Sequence, residues 1–447
     1  MAVGVLSERP SRAWVWVAIL AAALLAALLV GASTPDVQMF LALTGLIGIA
    51  GSLLIPRAVA KEPSISARFL AVALIAHVVG SLLRYFIIQA VYHGVADANG
   101  YYAGGVAFAP LFRSLQIPAF PGVGTPFMNW LTGILFAFTG PTMLGGFVVC
   151  AALSFVGSWY FYKAFRIGFP DGNAKLFAVL IFLFPTMWYW TSSLGKDAIV
   201  MLFLGIATYG FALLFRAISL KAIFAVALGL TVVSLMRPPI AAALAVSAAA
   251  AFLLRPARAR APQVQALLWL VFVPLLSLAA FTIVRTSQAY IRHDSPVEAF
   301  EAQQTDFSAT GATSDFTPVS PFTPRGFVLA VVTVNFRPFP WEAGGLLPAI
   351  AALEGIALLV ILFVNRRSIL AGLRRWRQNG MVILAVGAFL SISVILSALG
   401  NFGLLARQRT QVLPFLFMLP CMVKIQRGRR PESGPETVAA DGVSAAP

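Results

Sequence analysis

The sequence predicts an all-α, polytopic integral membrane protein of about twelve transmembrane helices. Three observations carry that prediction. Of the 447 residues 60% are hydrophobic and only 11% charged, whereas soluble domains carry roughly 45–50% apolar and about 25% charged residues. The mean hydropathy is +0.88. The apolar residues gather in runs of roughly 17–23, long enough for a helix to cross about 30 Å of hydrocarbon. A soluble enzyme, a nucleic-acid-binding domain and a disulfide scaffold are excluded on this basis.

The first run, Trp14 to Val30, follows Arg9 and Arg12. It exceeds the roughly 7–15 residues of a signal-peptide core, so it reads as a retained helix over 13–32. Further spans are expected at 37–56, 69–91, 142–162, 176–193, 197–215, 219–236, 239–254, 265–285, 346–364, 381–400 and 410–424. The stretch 126–139 stops at Gly140-Pro141 and is too short to span comfortably, so it reads as re-entrant or interfacial. Residues 1–430 then form one membrane domain with long outside segments at 92–141 and 286–345. The Pro/Gly/Ala-rich residues 431–447 read as a disordered cytoplasmic tail.

Charge supports this count. With both termini inside, one side of the membrane receives Arg57, Lys61 and Arg68, then Lys163, Arg166 and Lys175, then Arg216 and Lys221. It also receives Arg255, Arg258 and Arg260, the arginines at 366, 367, 374, 375 and 377, and the basic group from Lys424 to Arg430. Basic residues concentrate on cytoplasmic loops, and a full crossing by 126–139 would destroy the bias. The net charge of +16 therefore reads as topology, with the plasma (inner) membrane as the location and no nucleic acid as partner. Cys150 and Cys421 lie inside apolar runs, and His77, His93 and His293 show no ligand spacing, so no metal site is read from the residues.

The basic residues left on the other side carry more information. They are Arg84, Arg113, Lys196, Arg237, Arg285, Arg292, Arg325, Arg337, Arg407 and Arg409. A charge at a helix end, partly out of water, calls for an anionic partner. Lys196-Asp197 is either a self-neutralising turn, with Asp197 as a cap and Lys196 snorkelling, or an anion site at a helix N-terminus. Arg237 has no acidic neighbour in sequence. Arg407 and Arg409 flank Gln408, and a guanidinium fork matches phosphate oxygens; snorkelling to headgroups is the alternative. Arg337 either pairs with Glu342 or joins the same face. Glu354, inside a span, needs a partner or a cavity. Together Lys196, Arg237, Arg337, Arg407 and Arg409 fall at one membrane face, at the depth of a lipid-linked phosphate.

Asp97, in His93-Gly-Val-Ala-Asp-Ala-Asn-Gly-Tyr-Tyr102, is the candidate base at that face, against the alternative of an ordinary turn residue. Phe108, Leu111, Phe112 and Leu115 recur at roughly helical spacing after it, as in a helix lying on the membrane. This stretch, Asp97-Ala-Asn-Gly-Tyr101-Tyr102 with Gly124-Thr-Pro-Phe127 beyond it, resembles the GT-C superfamily of integral-membrane glycosyltransferases, which use polyprenyl-phosphate-linked sugars. The stretch Phe184 to Asp197 resembles bacterial membrane proteins of surface-polysaccharide pathways. The chain departs from the GT-C pattern in two ways: the acidic loop follows the third helix instead of the first, and a second acidic residue has no clear counterpart, which leaves a divalent cation open.

That resemblance implies transfer of a sugar from a polyprenyl-phosphate-linked donor to a glycan, lipid or protein acceptor at the extracytoplasmic face, in cell-envelope polysaccharide or glycoconjugate synthesis. Asp97 would be the base, and Tyr101 and Tyr102 would line the sugar site. Lys196, Arg237, Arg407 and Arg409 would hold the phosphate, with Asp197, Arg337 and Glu342 beside them. The long outside loop also resembles O-antigen polymerases and ligases, which would shift catalysis to His293 with Arg292 and Arg237. A lipid-linked-sugar flippase or other transporter is the non-enzymatic alternative; the supply of ionisable residues inside the spans, little beyond His77, Arg84 and Glu354, is thin for it.

Overall fold

The computed structural model describes residues 34–254 and 316–425. The spans expected at 13–32 and 265–285, the segment containing Arg292 and His293, and the tail lie outside the described residues. Those described are 78% helical and contain no strands.

Helix α1 (Pro35–Val59) begins at Thr34, whose hydroxyl accepts from the Val37 N–H, and α2 (Ala67–Phe86) begins at Ser66, which does the same for Phe69. Such caps satisfy donors that the helix cannot. A π-helical turn extends α2 to Val91. Helices α3 (Asp97–Arg113) and α4 (Thr125–Thr139) follow as a hairpin. They touch through glycines: a Cβ on Gly104, Gly105 or Gly133 would sit within 2.3–2.4 Å of the facing Asn129, Thr132 or Phe108 side chain. Helix α3 begins at Asp97, seven residues earlier than the apolar spacing suggests.

The centre of the fold is α5 (Met143–Gly168) against α8 (Lys196–Leu214), with α9 (Leu220–Met236) on the other flank of α8. Backbone contact sets these crossings. A Cβ on Gly157 would lie 2.6 Å from the Met201 carbonyl oxygen, one on Gly205 2.5 Å from that of Gly157, and one on Gly229 2.6 Å from that of Phe203. Small residues at crossings are what helices in lipid use to approach closely. Between α5 and α8 the expected span is broken: α6 (Ala174–Leu183) and α7 (Pro185–Tyr189), the latter extended by a 3-10 turn to Ser192, meet at 48°. Pro185 cannot donate to the preceding turn, and Phe184 before it is extended.

Helix α10 (Pro238–Leu253) packs on α14 (Gly380–Leu396), reached through α11 (Pro324–Phe336), α12 (Leu346–Val364) and α13 (Arg366–Arg374). The chain ends in α15 (Phe402–Gln408) and α16 (Leu413–Met418). Two expectations are corrected here. The segment 286–345 is not loop throughout, because α11 buries Ala330, Val334 and Asn335, and Asn335 donates to Ser393 Oγ at 2.9 Å; its 13 residues are too few to register as a span. The span expected at 410–424 is cut into α and 3-10 pieces at Pro414 and Pro420.

Among the described residues, α1, α2 with its π turn, α5, α8 and α12 are long and apolar enough to cross a membrane, or six spans if the bent α6–α7 pair counts as one. Helices α9, α10, α11 and α14 are apolar but shorter. On the outer helices α1, α2 and α12, Leu46, Leu54, Ile75, Phe86, Leu353 and Phe363 are exposed, a surface suited to hydrocarbon.

The bundle has two chemically different ends. At one, Glu62 pairs with Arg166 at 3.2 Å, Asp171 lies 3.9 Å from Arg375, and Asn379 and Lys424 close onto Gly168 and Asp171. Arg166, Arg375 and Lys424, three basic residues of the cytoplasmic reading, lie there. The other end carries the site.

Candidate functional site

Four helix junctions converge at that second end. After the π turn the chain reverses through His93 and Gly94, both with positive φ (49° and 80°). The Asn99 amide donates to the Gly94 carbonyl and pins this reversal. Asp97 follows in the first turn of α3, and Tyr101, one helical turn later, shares its face. Lys196 and Asp197 open α8. Arg237 ends α9 and opens α10, because Pro238-Pro239 forces a new helix to start there. Arg407 closes α15.

These side chains form one alternating chain of charge. The Asp197 carboxylate, 3% exposed, accepts from Arg237 Nη2 at 2.6 Å on one oxygen and from Arg407 Nε at 2.5 Å on the other. Arg407 Nη1 then donates to Asp97 Oδ2 at 2.6 Å. Asp97 is the open end, with 56% of its side chain exposed. Lys196 stands beside the chain, its Nζ donating to Thr125 Oγ1 at 3.1 Å and lying 5.9 Å from the Tyr101 ring centroid. Burial alone would weaken the Arg407 cation, but the two facing carboxylates outweigh it and hold its pKa above the ordinary arginine range. Burial, reinforced by the Asp97 charge, pushes the Tyr101 phenol up to about 12, so it remains an O–H donor. A small pocket opens at this place, lined by Arg84, Asp97, Tyr101, Ser193, Gly195 and Arg407 among others.

The structure divides the expected phosphate cradle in two. Asp97, Tyr101, Lys196, Asp197, Arg237 and Arg407 come together. Arg337, Glu342 and Arg409 do not join them. Arg337 Nε donates to Glu342 at 3.0 Å, and its guanidinium carbon lies 4.4 Å from the Phe316 ring centroid. Phe316 is stacked on Phe402. The Phe339 N–H completes the Glu342 shell at 2.8 Å. Arg409, 2% exposed, donates to the Arg337 carbonyl. This is a clasp between α11 and α15 that uses its own charges. Tyr102 also turns away, edge-on to Phe136 with centroids 5.3 Å apart. Glu354 finds its partner in the Thr186 hydroxyl.

Asp197 is neither a cap nor self-neutralised by Lys196, since the N-cap of α8 is Gly195. Its partners lie 40 and 210 positions away. Arg84 was not among the expected site residues; the signal that marks it is a charge in the last turn of an apolar span, where ionisable side chains face inward. The donor set does not suit a divalent cation: no three His, Cys, Asp or Glu side chains gather for one among the described residues, and both carboxylates here are already engaged by guanidiniums. Neither a protein-family model, nor a curated protein, nor a solved structure matches the chain.

Proposed function

We propose that the protein is a membrane glycosyltransferase, moving a sugar from a polyprenyl-phosphate-linked donor to an acceptor at the extracytoplasmic face of the plasma membrane. The observation that carries this reading is the half-exposed Asp97 at a pocket where Arg407, Asp197, Arg237 and Lys196 meet. The strong bias of basic residues to the opposite end supports an outside placement of the pocket, with twelve spans in a GT-C-like arrangement and both termini cytoplasmic.

In this reading the acceptor hydroxyl attacks the anomeric carbon of the donor sugar. The bond from that carbon to the phosphate oxygen breaks, the phosphate leaves with the bonding electrons, and Asp97 takes the hydroxyl proton. Cations poised at the leaving group stabilise the charge that develops there, and Lys196 is placed for this. At rest Asp97 is bonded to Arg407. An incoming phosphate competes for Arg407 and releases Asp97 as the substrate arrives. Tyr101 positions a sugar hydroxyl by hydrogen bonding.

The test is mass spectrometry of lipid-linked sugars in a deletion strain complemented with wild type, Asp97→Asn or His293→Ala. The expected result is a glycolipid that accumulates in the deletion, persists with Asp97→Asn at wild-type protein levels, and clears with His293→Ala. A well-folded Asp97→Asn protein that clears it refutes the base. A damaging His293→Ala moves the reading to a polymerase or ligase.

A further inference from the structure

Arg84 is the cation that the network leaves over. It sits in the last turn of α2, 5% exposed, and its Nε and Nη1 atoms have no hydrogen-bond partner among the described residues. Its guanidinium carbon lies 4.5 Å from the Trp190 ring centroid and 5.2 Å from that of Tyr189. These ring faces attract and orient the cation, and the Tyr189 hydroxyl interacts with it, but neither replaces the hydrogen bonds that Nε and Nη1 lose from water. Among the described residues no carboxylate bonds to Arg84, and a buried cation in that position calls for an anion.

The pocket supplies the other half of such a site. Its lining also includes Ser193, Leu194 and Gly195, which lead into α8. That helix has 19 residues, and its N-cap, Gly195, offers no side chain to the first-turn N–H groups. Open N–H groups at a helix N-terminus, with the helix dipole behind them, bind oxyanions. Asp197 does not neutralise this end, because Arg237 and Arg407 share its carboxylate. Among the described residues around the pocket, two carboxylates (Asp97, Asp197) stand with four cations (Arg84, Lys196, Arg237, Arg407), an excess of two positive charges.

We propose that Arg84 and the N-terminus of α8 form an oxyanion site that binds the phosphate of a phosphorylated ligand. The identity of that ligand as a lipid carrier rests on the glycosyl-transfer reading; the oxyanion site does not. Arg84 is then the residue that grips the phosphate, while Arg237 serves to fix Asp197. The bare Cα of Gly195 borders the site, whose donors are the first-turn N–H groups of α8, since the Gly195 N–H faces the Cys150 thiol. A Cβ there would meet only the Tyr101 ring and the Ser193 carbonyl oxygen, at 3.6 and 3.9 Å, and its backbone is extended (φ 174°), so alanine is tolerated by the fold yet narrows the floor of the site.

The test is titration of the purified full-length protein in detergent, by calorimetry, with a short-chain polyprenyl phosphate and separately with inorganic diphosphate. Saturable binding of the lipid phosphate is expected, weakened about tenfold or more by Arg84→Gln, in line with the loss of one partner of a buried charge pair. Arg84→Lys retains part of the affinity. Gly195→Ala also weakens binding, at unchanged thermal stability. Arg113→Gln, remote from the pocket, binds as wild type does. A folded Arg84→Gln protein with wild-type affinity overturns the site; if Arg84→Gln does not fold, wild-type affinity in Gly195→Ala overturns it instead. Diphosphate binding as tightly, with the same dependence on Arg84, supports the oxyanion site and assigns it to a free phosphate. No sugar is present, so this binding and the Asp97 turnover test fail independently of each other.

Discussion

Replacing Asp197 by Asn keeps the volume of the side chain but removes the charge that two buried guanidiniums share. Breaking a buried ion pair by neutralising one partner costs about 3–5 kcal/mol, because the other charge stays buried and uncompensated. Here the two arginines lose unequally. Arg407 keeps Asp97 at 2.6 Å, whereas Asp197 is the sole carboxylate bonded to Arg237 among the described residues. The expected destabilisation therefore falls near the lower limit, about 3 kcal/mol. Unfolding of the detergent-solubilised protein measures it, with Asp197→Asn, Arg237→Gln and the double variant forming a cycle. The double variant removes the orphaned cation along with its partner, so it should be less destabilised than the sum of the singles by about 1–3 kcal/mol. Because the carboxylate is 3% exposed, the coupling should persist in about 1 M salt, where surface pairs are screened. A single variant within about 0.5 kcal/mol of wild type, or a strictly additive cycle, would refute the network as a buried ion-pair chain.

Two further perturbations probe the clasp and the core. Burial pushes the Glu342 carboxyl up, but the hydrogen bonds from Arg337 and the Phe339 N–H outweigh it and set its pKa below the ordinary 4.5. A depressed folded-state pKa gives stability that is present above the ordinary value and fades as pH falls through the folded value. Wild type should therefore exceed Glu342→Gln in thermal stability at neutral pH, with the two converging in acid below the folded value; parallel curves would remove Glu342 from the clasp. At the α5–α8 crossing a Cβ on Gly205 would lie 2.5 Å from the Gly157 carbonyl oxygen, so Gly205→Val must push two backbones apart. A loss of about 1–3 kcal/mol is expected from overpacking, and wild-type stability would show that the crossing has slack.

Hydropathy made most of the helix positions legible, because a run of apolar residues in a low-charge chain has few other fates. It failed where the backbone, not the side chains, decides. Pro185 splits one run at 48° and Pro414 another, and a hydropathy average does not register a missing N–H. It failed again at α11, where Thr, Ser and Pro upstream masked a short apolar helix that packs on α14. The site was legible to the same depth. On the expected topology, positive charge away from the cytoplasmic loops singles out Lys196, Arg237 and Arg407, since a charge at the end of a span calls for a partner. The identity of the partner is a fact of three dimensions: Asp197 meets Arg237 across 40 residues and Arg407 across 210.

The same logic explains why Arg337 and Arg409 separated from the others. Arg337 carries its carboxylate five residues away in Glu342, and a cation with a local counter-charge has no need of a distant one. The Arg337 main-chain carbonyl separately accepts from Arg409. Arg237 and Arg407 have no acidic neighbour in sequence, so only tertiary contacts can compensate them, and the four junctions that bear them and their carboxylates are drawn to one point. The charges that sequence cannot pair locally are thus the ones that assemble the pocket. Arg84, which has no carboxylate partner among the described residues, is where we propose that the assembly takes its ligand.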